Sequence, residues 1–245
     1  MKLKVLGSSS SGNCYLLSNK EETLIIECGL PYKTILKGLN FNLNNVVGIL
    51  ASHEHKDHSK ALRDMLSNGI DVYTGFGTAM AIAKECRVIE THHRLHFIKS
   101  EEQFKVGGFT ILPFEVEHDA AEPLGFLISH GDTGKILFAT DTYYIQYKFN
   151  GLKHILIECN YSKEILGRNI DNGLNPARAK RLLTSHFSLE NLKGFLKETD
   201  LTQCEDITLI HLSDGNSNAA HFKKEIERLT GKPVYIADSG LELEL

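Results

Sequence analysis

The 245-residue sequence has no apolar run approaching the ~18 residues of a membrane-crossing helix, which excludes a helical span. Its opening Met1-Lys2-Leu3-Lys4-Val5 reads as the start of a strand, not as a signal peptide, so the expected location is the cytoplasm. There is no Pro/Gly/Ser linker, short-period repeat or low-complexity tract, and one domain over residues 1–245 is therefore expected. Cysteine is sparse. Cys14, Cys28, Cys86, Cys159 and Cys204 are odd in number, scattered and mostly set in apolar stretches. That argues against a disulfide framework or a thiolate zinc site and predicts buried, weakly polar side chains. Excess positive charge is also missing: a formal charge of −4 argues against coating nucleic acid by bulk charge, while allowing an enzyme with a local basic patch.

What is present is an ordinary globular composition, 42% hydrophobic and 24% charged, able to bury a sizeable core. Short β-branched or apolar runs (Leu3–Leu6, Cys14–Leu17, Thr23–Glu27, Val47–Ser52, Asp71–Thr74) begin an α/β pattern. Later runs follow at Thr110–Glu117, Leu124–Ser129, Lys135–Thr140, Ile155–Cys159, Ile207–Leu212 and Pro233–Ala237, with helical periodicity over 176–184, 188–198 and 217–230. Hairpin-like strands in the middle and helices elsewhere predict an αββα sandwich, two mixed sheets face to face with helices outside. The Ser-rich stretch Gly7–Asn13 reads as a tight loop whose backbone amides and Asn13 are candidates to line a site.

The twelve histidines carry the functional signal. His53-Glu54-His55-Lys56-Asp57-His58 lies between strand-like Val46–Leu50 and helix-like Lys60–Leu66, a strand-to-helix loop in which side chains converge. His53 and His55 can grip one ion from the same side of an extended segment, while Asp57 and His58 turn toward a second. Imidazole and carboxylate donors suit zinc, and also manganese or iron. Further ligand-type residues end apolar runs: His118, Asp141, His186 at the end of a basic helix, and His211. Strand ends are where α/β folds place chemistry. A site for two divalent ions needs about six to eight protein ligands, which these residues can supply.

The run His53-x-His55-x-Asp57-His58, followed by His118, Asp141 and His211, resembles the ordered metal-binding series of the metallo-β-lactamase superfamily. The resemblance implies that His53, His55 and His118 hold one metal, Asp57, His58 and His211 the second, and that Asp141 bridges them. Gly7-Ser-Ser-Ser-Ser-Gly-Asn-Cys14, residues 117–126, Ala139-Thr-Asp141, Ser185-His-Phe-Ser-Leu-Glu-Asn191 and residues 211–217 resemble the small WalJ (YycJ)-type proteins, which are regarded as DNA exonucleases. The arrangement is also similar to that of tRNase Z and of the cyclic phosphodiesterase of the carbon–phosphorus lyase pathway; in these relatives the histidine at the position of His186 is a non-ligand active-site residue. Two features depart from the relatives. Glu27 stands where they usually carry Asp, one methylene shorter, and neither a β-CASP insertion nor a Gly/Pro-rich tRNA-gripping arm is present.

Such a site implies a phosphodiesterase, most specifically a DNA exonuclease, in which a hydroxide shared by two ions is the nucleophile. His186, Asp57 and Asp141 are the candidate catalytic side chains, with His186 as general acid for the departing alkoxide or, in a competing role, as a phosphate hydrogen-bond donor. Residues 163–186 carry Lys163, Arg168, Arg178, Lys180 and Arg181 against Glu164 and Asp171, a balance of +3 in a chain of −4. Asn13, Arg178 and Arg181 are accordingly candidate substrate-binding residues, for nucleic acid or a small phosphodiester; a solvated helix face is the bland alternative. Glu158 and Asp214 could orient ligands or a substrate, with a structural part as the favoured reading; His92-His93-Arg94 reads as surface, and Tyr143-Tyr144 either as a base-stacking pair or as the start of a packed helix. Two other readings stay open: hydrolysis of an ester, thioester, lactone or β-lactam by the same metals, and a metal-stabilised binding protein without turnover.

Overall fold

The computed structural model describes residues 1–85 and 92–245; Cys86, expected to be buried, lies outside them. In the first sheet β1 (Lys2–Gly7), β2 (Cys14–Ser18) and β3 (Thr23–Ile26) are antiparallel neighbours. The chain then crosses over through α1 (Tyr32–Gly38) to β4 (Val46–Leu50), through α2 (Lys56–Ser59) and α3 (Leu62–Ser67) to β5 (Val72–Gly75), and through α4 (Phe76–Glu85) to β6 (Leu95–Ile98). These later pairings are parallel. The second sheet repeats the plan. β7 (Phe104–Val106), β8 (Phe109–Glu115), β9 (Leu124–His130) and β10 (Gly134–Ala139) are antiparallel, and β10, β11 (Leu152–Glu158), β12 (Asp206–Ile210) and β13 (Val234–Ile236) are parallel. Helices α5 (Lys163–Asp171), α6 (Pro176–Ser185) and α7 (Leu189–Glu198) connect β11 to β12, α8 (Ala219–Thr230) connects β12 to β13, and β14 (Glu242–Glu244) returns to β1 with Glu244 opposite Lys2.

The period of two along each strand builds the layers. Leu3, Val5 and Tyr15 from one sheet meet Phe109, Phe126 and Phe138 from the other in the central layer. Ile155, Ile157, Ile207 and Leu209 point outward beneath α7 and α8, whereas Leu156 and Ile210 point to the facing sheet. Both faces of β11 and β12 are thus covered, which is why Ile155–Ile157 and Ile207–Ile210, interrupted only at Thr208, are largely apolar. On the opposite flank Ile49, Ile25 and Val72 pack under Leu62 and Met65 of α3. Cys14, Cys28, Cys159 and Cys204 are buried and unpaired.

The expected αββα architecture is the observed one. The three predicted helices appear within two residues as α6, α7 and α8. One expectation fails: Tyr143 and Tyr144 start no helix but lie in an irregular segment joining β10 to β11. No helix among the described residues is long and apolar enough to cross a membrane.

Candidate metal centre

The parallel strands deliver the site. Beyond the C-terminal ends of β3, β4, β10, β11 and β12 come Glu27, His53, Asp141, Cys159 and His211, and strand ends at a change of sheet direction are where a crevice opens. Among the described residues six non-glycines have positive φ, and Glu27 (64°), Asp141 (45°) and His211 (52°) are three of them. Each such residue costs about 1–3 kcal/mol, which persists only where the surroundings enforce it. Here the enforcement is visible in the hydrogen bonds. Asn13 N donates to Asp57 O at 2.8 Å, Cys28 N to His58 O at 2.9 Å, and Ala61 N to Cys28 O at 2.9 Å, lacing three loops together. Gly29 is the closest approach: a Cβ there would overlap the Asp57 carbonyl, so the lacing requires glycine.

Two groups of donors converge, His53, His55, His118 and Asp141 in one and Asp57, His58, Asp141 and His211 in the other, with all ligand atoms of a group within 4.8 Å. His118 Nδ1 donates to Ser185 O at 2.8 Å, and a carbonyl can only accept, so the neutral ring presents a bare lone pair at Nε2. That lone pair lies 3.2 Å from His55 Nδ1, which is itself 3.1 Å from His53 Nε2. Asp141 Oδ2 completes the group at 3.4 Å from His53 Nε2 and 3.7 Å from His118 Nε2. One ring proton cannot satisfy such a crowd, whereas donors about 3.3 Å apart are what a tetrahedral ion with bonds of about 2.0 Å requires. These residues therefore fit a divalent cation. Burial, followed by the charge on His58, holds His53 well below the usual histidine range, and burial also lowers His118, as a neutral ligand needs.

The second group is richer in carboxylate. His58 Nε2 lies 2.9 Å from Asp141 Oδ2 and 3.4 Å from Asp57 Oδ2, and His211 Nε2 lies 3.4 Å from Asp57 Oδ2. Burial opposes charge on both rings, but Asp141 and its neighbours outweigh it and raise His58 and His211 well above the ordinary value. Burial likewise opposes ionisation of Asp141 and Asp57, yet the surrounding histidines hold both carboxyls below the usual range. The carboxylates thus favour positive charge beside them, whether carried by a proton or by a cation.

Glu27, buried behind this group, reaches with Oε1 to accept from Ser52 N at 3.2 Å and places Oε2 3.4 Å from His58 Nδ1. The longer side chain thus comes near the His58 ring without a hydrogen bond to it. Asn13 does not line the cavity. It is fully buried and its Nδ2 approaches Asp57 O and His58 Nε2, both at 3.1 Å, so its place is behind the metal loop. From the serine loop it is Ser10 that borders the cavity, while Ser8 Oγ accepts from His211 N at 2.9 Å.

Glu158 has a larger part than its sequence context suggested. Fully buried at the end of β11, it accepts four hydrogen bonds: Oε1 from His186 Nδ1 at 2.7 Å and His211 Nδ1 at 3.0 Å, Oε2 from Thr142 N at 3.1 Å and Phe187 N at 2.9 Å. Burial works against charge on His186, but the Glu158 carboxylate outweighs it and raises the ring above its ordinary value. Asp141, Glu158, His186 and His211 form a third convergent group, yet its short contacts are N–H to O pairs that protons already satisfy. The sequence signal was available: an acidic residue closing the apolar run Ile155–Ile157.

A cavity of about 410 Å³ opens onto these groups and takes Arg178 and Arg181 of α6 and Lys56 into its walls. Arg181 is tied to Asp119 at 2.8 Å, whereas Arg178 is exposed and meets no carboxylate among the described residues. His92, His93 and Arg94 lie away from the site, Arg94 pairing with Asp71 at 2.9 Å, and Asp214 is exposed and outside the donor groups.

A sandwich of two mixed sheets with paired histidine–carboxylate groups at the strand ends is the construction of a metal-dependent hydrolase with the metallo-β-lactamase fold. The chain belongs to the β-lactamase superfamily, matching its domain description (Beta-lactamase superfamily domain) over residues 34–190, and within it to the WalJ (YycJ)-type branch. The exodeoxyribonuclease YycJ of Bacillus anthracis is 30% identical over 243 residues, covering 94% of this chain and 87% of its own. The exodeoxyribonuclease WalJ of Streptococcus pneumoniae is 29% identical over 229 residues, covering 88% and 83%. In structure the chain is similar to the metallo-β-lactamase fold protein YhfI from Bacillus subtilis, with a TM-score of 0.76, 17% identity and 99% of each chain covered.

Proposed function

We propose that the protein is a two-metal phosphodiesterase and, more narrowly, a DNA exonuclease, as its relatives YycJ and WalJ are named. His53, His55 and His118 would hold one divalent ion, Asp57, His58 and His211 the other, and Asp141 both. When bound, zinc, manganese or iron supplies positive charge against the phosphoryl oxygens and makes hydroxide available near neutral pH. The remaining work falls to side chains. Arg178 and Arg181 draw the polyanion to the cavity and hold its phosphates. His186, held through Nδ1 by Glu158, keeps Nε2 for the cavity and donates the proton that the departing alkoxide needs. Glu158 is its positioning residue.

The observation that carries this reading is His186: a cavity-lining histidine whose one nitrogen is committed to a buried carboxylate, beside a wall of arginines. A proton donor and cations suit a charged diester with a poor leaving group better than a lactam or thioester. In the test, His186→Ala is assayed on DNA and on a 4-nitrophenyl phosphodiester, whose leaving group needs no proton. DNA cleavage is expected to fall by about 10²–10⁴ while the activated diester falls far less, with metal content unchanged. Equal losses on both would remove the acid role, and turnover of thioester or β-lactam in preference to any diester would overturn the phosphodiesterase reading.

A further inference from the structure

A second groove, of about 390 Å³, runs between residues 143–148 and one face of α7. On the helix Glu190, Asn191, Gly194, Phe195 and Glu198 recur at helical spacing, and Tyr143 and Tyr144 face them. It shares no lining residue with the metal cavity but begins close to it along the chain. Tyr143 is two residues beyond Asp141 and Phe187 one beyond His186, so both walls begin within about 8 Å of site residues along the chain.

The two tyrosines are left exposed, Tyr143 by 38% and Tyr144 by 57%, on a backbone that is firmly held. Tyr143 N donates to Glu117 O at 3.1 Å, Asn191 Nδ2 donates to Tyr143 O at 3.0 Å, and Thr142 Oγ1 donates to Tyr144 O at 2.7 Å. Rings on a fixed segment stack at little entropic cost. The floor opposite is open, because a Cβ added at Gly194 meets nothing within 4 Å. The charge is wrong for phosphate: Glu190 and Glu198 border the groove, and its Lys148 lies 3.9 Å from Glu198, whereas Arg178 and Arg181 line the metal cavity. An uncharged flat ring fits where a phosphate does not.

We propose that this groove is a nucleobase subsite, seating the base of the nucleotide beside the scissile linkage against Tyr143 and Tyr144. The proposal rests on the phosphodiesterase reading above and adds the state of the substrate. A base in this groove has left the duplex stack, so the strand enters single or frayed.

The test compares the metal-loaded protein with Gly194→Leu, which fills the floor from an exposed helical position, and Tyr144→Ala. Substrates are a single-stranded oligonucleotide, the same strand with an abasic unit at its cleaved end, and methyl 2,2,2-trifluoroethyl phosphate, an aliphatic diester with no ring to stack. A phosphorothioate-blocked strand carrying terminal 2-aminopurine reports stacking through fluorescence without turnover. The wild type is expected to prefer the intact end over the abasic end by at least about fivefold and to quench 2-aminopurine; both variants should lose that preference and the quenching while cleaving the small diester. Small-diester cleavage with no abasic discrimination or no quenching in the wild type, or with both retained in the variants, overturns the subsite alone. Failure to cleave any diester together with absent quenching overturns the phosphodiesterase reading as well.

Discussion

Replacing Glu158 by Gln isolates the link between a buried carboxylate and His186. The carboxylate accepts four hydrogen bonds, two per oxygen, but glutamine offers one oxygen and one NH₂. Whichever way the amide turns, two donors face a donor. The backbone N–H groups of Thr142 and Phe187 cannot give up their hydrogens, whereas imidazoles can change tautomer, so the oxygen turns to the backbone and the NH₂ to the histidines. His186 Nδ1 then accepts, and the ring is driven toward its neutral form. Disrupting a buried charged network costs about 3–5 kcal/mol, within a total stability of about 5–15 kcal/mol, so the variant should fold with a lower Tm. The functional consequence has a definite sign. Burial favours neutral His186 and Glu158 overrides it; without that charge the pKa falls, and the acid is lost at lower pH than in the wild type. Each unit of fall removes about tenfold of the protonated form above the pKa. DNA turnover is therefore expected to drop about 10–100-fold at pH 8, much less at pH 6, with a 4-nitrophenyl diester little affected. The assay is the pH profile of kcat on both substrates, with metal content and Tm measured alongside. A loss uniform in pH and equal on both substrates, with metals retained, would refute the proton-transfer role.

Gly29→Ala should collide with the Asp57 carbonyl and push the metal loop away, lowering stability by about 1–3 kcal/mol or more and weakening metal retention; an unchanged Tm would show that the loops yield freely. Because neighbouring carboxylates raise His58 and His211 above their ordinary pKa and a ligand nitrogen must be free of its proton, loading should release protons and tighten as pH rises, read by calorimetry in buffers of different ionisation heat; no buffer dependence would contradict this. Arg178→Ala should raise the KM for DNA and reduce the slope of log affinity against log salt by about 0.7–0.9, the share of one phosphate contact; an unchanged slope would place Arg178 outside the substrate path.

Much of this could be read in the sequence because the relevant signals are periodic or closely spaced. Ile155–Ile157 and Leu209–Ile210 are apolar on both faces, which marks strands covered on both sides, and α6 to α8 carry clear helical spacing. β7 and β14 span three residues each, too few for a period to show. His53 to His58 announced metal chemistry, whereas the convergence of His118, Asp141 and His211 on them depends on strand order, which only the family resemblance supplied. Asn13 was placed in the cavity lining, and the orienting role of Glu158 was ranked below a structural one, because both parts depend on direction. Glu158 points at His186 rather than into the core, and Asn13 points at His58 rather than into the cavity. A side chain's facing is decided by tertiary packing, which a single sequence does not spell out.

The central claim, a site built for two ions, is tested most directly by metal content. Protein loaded with zinc or manganese and freed of excess by dialysis is analysed by mass spectrometry beside His118→Ala, which removes one donor from the histidine group alone. The account predicts about two ions per chain for the wild type and about one for the variant. One ion or fewer in the wild type, or an unchanged count in the variant, would contradict it.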